Sequence, residues 1–191
     1  MIDVVVARYK ENLNWLDNFI PTREIRFFIY DKDPSSKFET NVNYQYTTLL
    51  NVGREAHTFL YHIVNNYDNL ADEVLFLQGN PFDHEKDWQR YQNFIDGKAN
   101  YEKYETFDIV STQTHFFEMG YRYMMLFKDM FGNDKVIPQV FEFSSGAQYI
   151  VKKEAILNKP LEFWQKLLNF SLEVEQFTWD VERLWMYLYA N

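Results

Sequence analysis

Two carboxamides, a carboxylate and an imidazole crowd into Gln78-Gly79-Asn80-Pro81-Phe82-Asp83-His84, directly after the apolar run Glu73 to Leu77. Packing does not ask for such a cluster at the end of a buried strand. It reads either as a polar turn or as part of a ligand site. Asp83 and His84 offer oxygen and nitrogen ligands to a metal ion, although adjacent residues seldom converge on one ion. Further upstream, Asn51 to Glu55 (NVGRE) opens a helix. Gly53 permits an unusual backbone angle, and Arg54 stands in the first turn, where the helix dipole favours anions over cations. As a cap Arg54 is poor; as a partner of the free helix amides it suits an anion such as a diphosphate. The plainer alternative pairs it with Glu55 or Asp72. His57 and His62 are spaced i, i+5 rather than the i, i+4 of helical zinc sites, so both receive packing or surface roles.

The elements that must position these groups alternate. Asp3 to Ala7, Arg26 to Tyr30 and Glu73 to Leu77 read as short buried strands, with an edge strand around Val42. Asn12 to Ile20 carries apolar residues at helical spacing and ends at Pro21, and the segment after Gly53 has an apolar helical stripe at Ala56, Phe59, Leu60, Ile63 and Val64. Strand and helix in alternation predict a parallel α/β unit. Downstream, the patterns predict a helical piece from Trp88 to Ile95, a strand from Phe107 to Thr112 and a helix from Tyr121 to Phe131. Two strands about Ser144-Ser145-Gly146 follow, and closing helices run from Lys153 to Asn169 and from Thr178 to Tyr189. In the last, Trp179, Leu184, Trp185 and Leu188 are expected to dock on the sheet. The fold class is therefore α/β, a mixed sheet flanked by helices. In such sheets ligands sit beyond the carboxyl ends of the strands, which selects ARYKEN, YDKD, QGNPFDH and the Ser-Ser-Gly-Ala turn.

The chain has 191 residues, 47% of them apolar and 19% aromatic, enough for one domain over 1–191 with a single core. Cys is absent, which removes disulfides and thiolate chemistry. A formal charge of −9 disfavours nucleic acid as a partner while leaving room for a small phosphorylated ligand in a local cationic pocket. The amino terminus lacks the form of a signal peptide, and no stretch approaches the ~18 apolar residues of a transmembrane helix. A soluble cytoplasmic protein is expected. Gly-x-Ser-x-Gly, the P-loop and the dinucleotide glycine fingerprint are all missing.

The blocks VVVARYKENLNWL, NVGREAHTFLYHIVNNYDNLADEVLFLQGNPFDH and GAQYIVKKEAI resemble, in order, those of an uncharacterised domain family. That family is similar to compact GT-A (Rossmann-like) nucleotide-sugar glycosyltransferases, including small algal-virus glycosyltransferase domains. The resemblance implies transfer of a sugar from a nucleotide-sugar donor to a glycan, a protein-linked glycan or another hydroxyl acceptor. Ala7, Arg8, Tyr9 and Asp31 would hold base and ribose, and Arg54, Gln78, Gly79 and Asn80 would face the diphosphate and sugar. Gly146 and Ala147 would form the acceptor side, and Glu182 or Asp180 would be the base. GT-A relatives hold Mn or Mg with an Asp-x-Asp motif; Gln78-Gly79-Asn80 stands at that place, so either Asp83 and His84 supply the metal ligands or Arg54 and Arg8 neutralise the diphosphate instead. A non-catalytic nucleotide-sugar or carbohydrate-binding module and a metal-dependent hydrolase built on Asp83 and His84 are the alternatives.

Overall fold

The computed structural model describes residues 1–83, 85–107, 110–113, 116–138, 140–173 and 177–190. Strands β1 (Ile2–Arg8), β2 (Ile25–Asp31), β3 (Tyr44–Thr48) and β4 (Glu73–Gln78) run parallel in the spatial order β3-β2-β1-β4. The sheet continues through β8 (Tyr149–Lys152), antiparallel to β4, and ends on β5 (Tyr104–Thr106). A two-stranded antiparallel ladder, β6 (Val110–Gln113) with β7 (Phe141–Ser144), stands apart from it. The expected α/β class with a mixed sheet is thus observed, and the three expected inner strands are parallel neighbours.

Side-chain alternation explains why both sheet faces are covered. Val4 and Val6 point to one face with Phe27, Ile29, Leu75 and Leu77, where Trp15, Leu16, Phe19 and α2 (Trp88–Ile95) pack over them. Val5, Phe28, Val74 and Phe76 point to the other, beneath α1 (Arg54–Asn66), α5 (Leu161–Glu173) and the closing helices α6 (Phe177–Glu182) and α7 (Trp185–Ala190). Consecutive β-branched residues buried on alternate faces are the mark of a parallel strand covered on both sides. No helix among the described residues is long and apolar enough to cross a membrane.

Several expectations change in detail. The helix expected over 12–20 is only a 3₁₀ turn (Asn14–Asn18). Its Asn and Asp residues compete for backbone partners, and Asp17 instead binds Thr40 and Asn41, while Ile20 is exposed. Of the strand expected over 107–112, only Val110 to Thr112 fall in a strand, β6, while Phe107 lies just past β5 and residues 108 and 109 lie outside the described set. Pro160 interrupts the helix expected over 153–169, giving α4 (Lys153–Leu157) and α5. The helix expected over 121–131 begins earlier, as α3 (Phe116–Phe131). Of the aromatics expected to dock at the carboxyl end of the chain, Trp185 is buried but Trp179 is 46% exposed.

Candidate functional site

After β1 the chain lays β2 and β3 to one side and then returns to place β4 on the other. The strand order therefore reverses between β1 and β4, and their adjacent carboxyl ends open a crevice of the kind that binds ligands in doubly wound sheets. A cavity of about 290 Å³ lies there. Ala7, Arg8 and Tyr9 contribute from the end of β1, Gln78, Gly79, Asn80 and Asp83 from the end of β4, and Arg54 from the start of α1. Eight residues selected from sequence thus meet in one pocket. Glu11, Lys32, Asn51 and Glu55 complete its lining and were missed individually, although ARYKEN, YDKD and NVGRE contain them all.

Arg8 is a wall rather than a free cation. Its register opposite Asp31 sets up a buried ion pair, Nη1 to Oδ2 at 2.6 Å. Nε donates to the Glu11 carbonyl at 2.8 Å, and Nη2 to the carbonyl and hydroxyl of Ser36 at 2.7 and 3.0 Å. Phe38 covers the guanidinium at 4.6 Å. Asp31 is equally committed: Oδ2 also accepts from Tyr46 at 3.0 Å, and Oδ1 from the Asp33 N–H at 3.0 Å. The expected ribose contact by Asp31 therefore gives way to a structural role, because a carboxylate with both oxygens engaged and 1% exposure has nothing to offer a hydroxyl.

Arg54 has the opposite character. Its side chain is 57% exposed, stands 3.9 Å from Glu55 and lies 4.7 Å over the ring of Trp179. The local Arg54–Glu55 alternative is thus present as a long ion pair, too long for a hydrogen bond. The backbone of Arg54 is left-handed, with φ of 45°, and Gly53 before it has φ of 60°. A β-carbon on Gly53 would meet the Ser171 carbonyl at 2.9 Å and His57 Cβ at 2.7 Å. Gly53 takes up this conformation freely, whereas the positive φ of Arg54 stores strain of the kind found at binding sites. No side chain caps α1. Its first helical bond is His57 N–H to the Gly53 carbonyl, so the preceding amides have no acceptor within the helix.

Lys32 follows Asp31 directly. It is 8% exposed, and its ammonium donates to the Val52 carbonyl at 2.5 Å and to the Arg54 carbonyl. Burial pulls it down to about 8, with Glu55 pulling the other way. Glu11 turns its carboxylate onto the N–H groups of Tyr9 and Lys10 at 2.8 and 3.1 Å, and a β-carbon on Gly79 would lie 2.7 Å from Glu11 Cδ. A side chain at position 79 would therefore push the Glu11 carboxylate off these amides.

Gln78 donates to the Gly146 carbonyl at 2.7 Å, which ties the turn before β8 to the end of β4. Gly146 does not line the pocket, and Ala147 is fully buried, so it presents no surface to an acceptor. Asn80 donates to Asp83 at 2.8 Å; His84 lies outside the described residues. No group of three His, Asp or Glu side chains able to hold a metal occurs among the described residues. Asp180, on α6, lines a different cavity between α3, α5 and α6. Glu182 shares that short helix, and neither lines the crevice.

Fold and crevice together define an α/β protein with a mixed, helix-flanked sheet and a polar pocket at its topological switch point. Residues 4–116 match the family described as protein of unknown function, DUF3431; the match spans well over half of the chain, and the chain belongs to that family. It includes all residues lining the crevice. No curated protein and no solved structure matches the chain.

Proposed function

We propose that this chain transfers a sugar from a nucleotide-sugar donor to a hydroxyl acceptor, with the donor in the crevice between β1 and β4. The observation that carries the reading is the convergence of the strand ends with the uncapped start of α1 and Arg54 in one polar pocket, where backbone amides and a cation can hold a diphosphate. In the reaction the acceptor oxygen bonds to the anomeric carbon, the bond from that carbon to the diphosphate breaks, and the acceptor proton passes to a base. The departing diphosphate stays with Arg54 and the α1 amides. Glu11, Glu55 and Asp83 are the carboxylates in the pocket, and we assign the base to this group in place of Asp180 or Glu182.

Among the described residues the donor set at the end of β4 is two amides and Asp83, and one Asp83 oxygen already accepts from Asn80. A hard divalent cation prefers several charged oxygens, so Mn or Mg fits these residues poorly. We assign compensation of the diphosphate charge to protein groups, and donor turnover is expected to persist in excess chelator. Loss of turnover on chelation, restored by manganese, would return the site to a metal held by Asp83.

Arg54→Ala tests the reading. Binding of the donor, followed by titration calorimetry, should weaken by about 1–3 kcal/mol, the range for a hydrogen bond to a charged group. The melting temperature should hardly change, because the side chain is mostly in solvent. Unchanged affinity with a large loss of stability would make Arg54 a prop for Trp179 instead.

A further inference from the structure

The buried ammonium of Lys32 is an odd component of this pocket. An ammonium has three donors, and two go to the Val52 and Arg54 carbonyls. No acceptor takes the third among the described residues, and Lys32 has no ion pair there. It stands beside the start of α1, the end of a helix that repels cations, with Arg54 close by in the same lining. Holding a cation there costs stability in the free protein, and an arriving anion offsets that cost. We propose that Lys32 binds an anionic oxygen of the ligand directly, through the N–H that the two carbonyls leave over. The chemistry recognised is a phosphoryl-type oxyanion, held between Lys32, Arg54 and the first amides of α1.

A consequence for pH follows. The titratable and charged groups around Lys32 among the described residues are Arg54, Glu55 and His57 from α1, Arg8 and Glu11 from β1 and its loop, Asp31 from the end of β2 and Asp83 from beyond β4. Burial first, then the charge of Lys32, holds His57 down at about 4, so His57 stays neutral near pH 8. Lys32 itself titrates at about 8 in the free protein. A bound anion favours the ammonium and raises that value, so binding takes up a proton above pH 8. Affinity should be flat below about pH 8 and fall roughly tenfold per pH unit above it.

The inference rests on the crevice being the anion site of the reading above. Its test uses inorganic sulfate, whose charge is constant over this range, so that it can fail separately from the nucleotide-sugar reading. Sulfate affinity would be measured by titration from neutral to alkaline pH on the whole chain and on Lys32→Met and Lys32→Arg, with circular dichroism confirming the fold of each. We expect the wild type to lose affinity above about pH 8 as described. Lys32→Arg, which keeps the charge and cannot deprotonate there, should bind with no such loss. Lys32→Met should bind at least about tenfold more weakly at neutral pH, the scale of one lost charged hydrogen bond. If Lys32→Met does not fold, the contrast between wild type and Lys32→Arg decides. A wild-type affinity independent of pH, an Arg variant that still titrates, undiminished binding by a folded Met variant, or no sulfate binding at any pH would each overturn the assignment. Sulfate binding that behaves as expected, without binding of any nucleotide sugar, would keep Lys32 as an oxyanion ligand and reject the sugar donor.

Discussion

Arg8→Met should remove about 3–5 kcal/mol of stability, the cost of leaving a buried charge without its partner. Asp31 would keep its carboxylate at 1% exposure with, among the described residues, the Tyr46 hydroxyl and the Asp33 N–H as its remaining donors. The carbonyls of Glu11 and Ser36 would lose their guanidinium as well. Urea unfolding measures the loss directly. Adding Asp31→Leu to Arg8→Met should restore a good part of it, since a buried ion pair replaced as a unit costs far less than one that is broken. A single variant as stable as the wild type would show that Arg8 is not the fixed wall described above and would reopen it as a ligand contact.

The second large effect lies at the opposite end of the same strand. Asp3 is fully buried under α1, accepts from Arg26 Nε and Nη2 at 2.6 and 2.8 Å and from the Ala71 N–H at 3.0 Å, and has His62 Nε2 at 3.7 Å. His62 in turn shares a hydrogen bond with the Tyr30 hydroxyl at 3.0 Å. Burial alone would raise the Asp3 carboxyl, but His62, Arg26 and the Ala71 amide outweigh it and hold it below its usual value. A carboxyl lowered on folding stabilises the protein above its unfolded pKa, and that contribution is lost as pH falls through the folded value. Asp3→Ala should therefore cost about 3 kcal/mol at neutral pH. It should also flatten the acid side of the stability curve below about pH 4, the ordinary aspartate range. Unfolding followed across pH checks both parts; an Asp3→Ala profile parallel to the wild type would show that Asp3 is not the linked group.

Much of this was legible in the sequence because strand residues of one type sit next to each other. The runs DVVVA, RFFIY and EVLFL had to be buried on both faces, and parallel pairing followed from the segments between them. Their carboxyl ends then had to share an edge, which is why Arg8, Gln78 and Arg54 meet in one pocket. What remained hidden depended on register and on side-chain reach. Asp31 and Arg8 each look like ligand residues until their register puts them opposite one another. Lys32, next to the selected Asp31, turns back to the carbonyls that precede and begin α1, a contact between residues about twenty apart that no local pattern records. Asp180 was expected as a base only through the resemblance, and packing of α6 turns it into the cavity beside α3. Trp179, expected in the core, instead lies under Arg54 at the surface.

The most direct test of the central claim is a thermal-shift screen of nucleotide sugars against the whole chain, with and without manganese, followed by assay of donor hydrolysis. If the crevice is a donor site, one class of nucleotide sugar raises the melting temperature in proportion to the logarithm of its concentration, as a ligand of the native state must. The same donor should be slowly hydrolysed, and excess chelator should change neither result. Stabilisation without any turnover would leave a nucleotide-sugar-binding module in place of an enzyme. No stabilisation by any nucleotide sugar, with or without manganese, would contradict the claim that the crevice between β1 and β4 is a donor site.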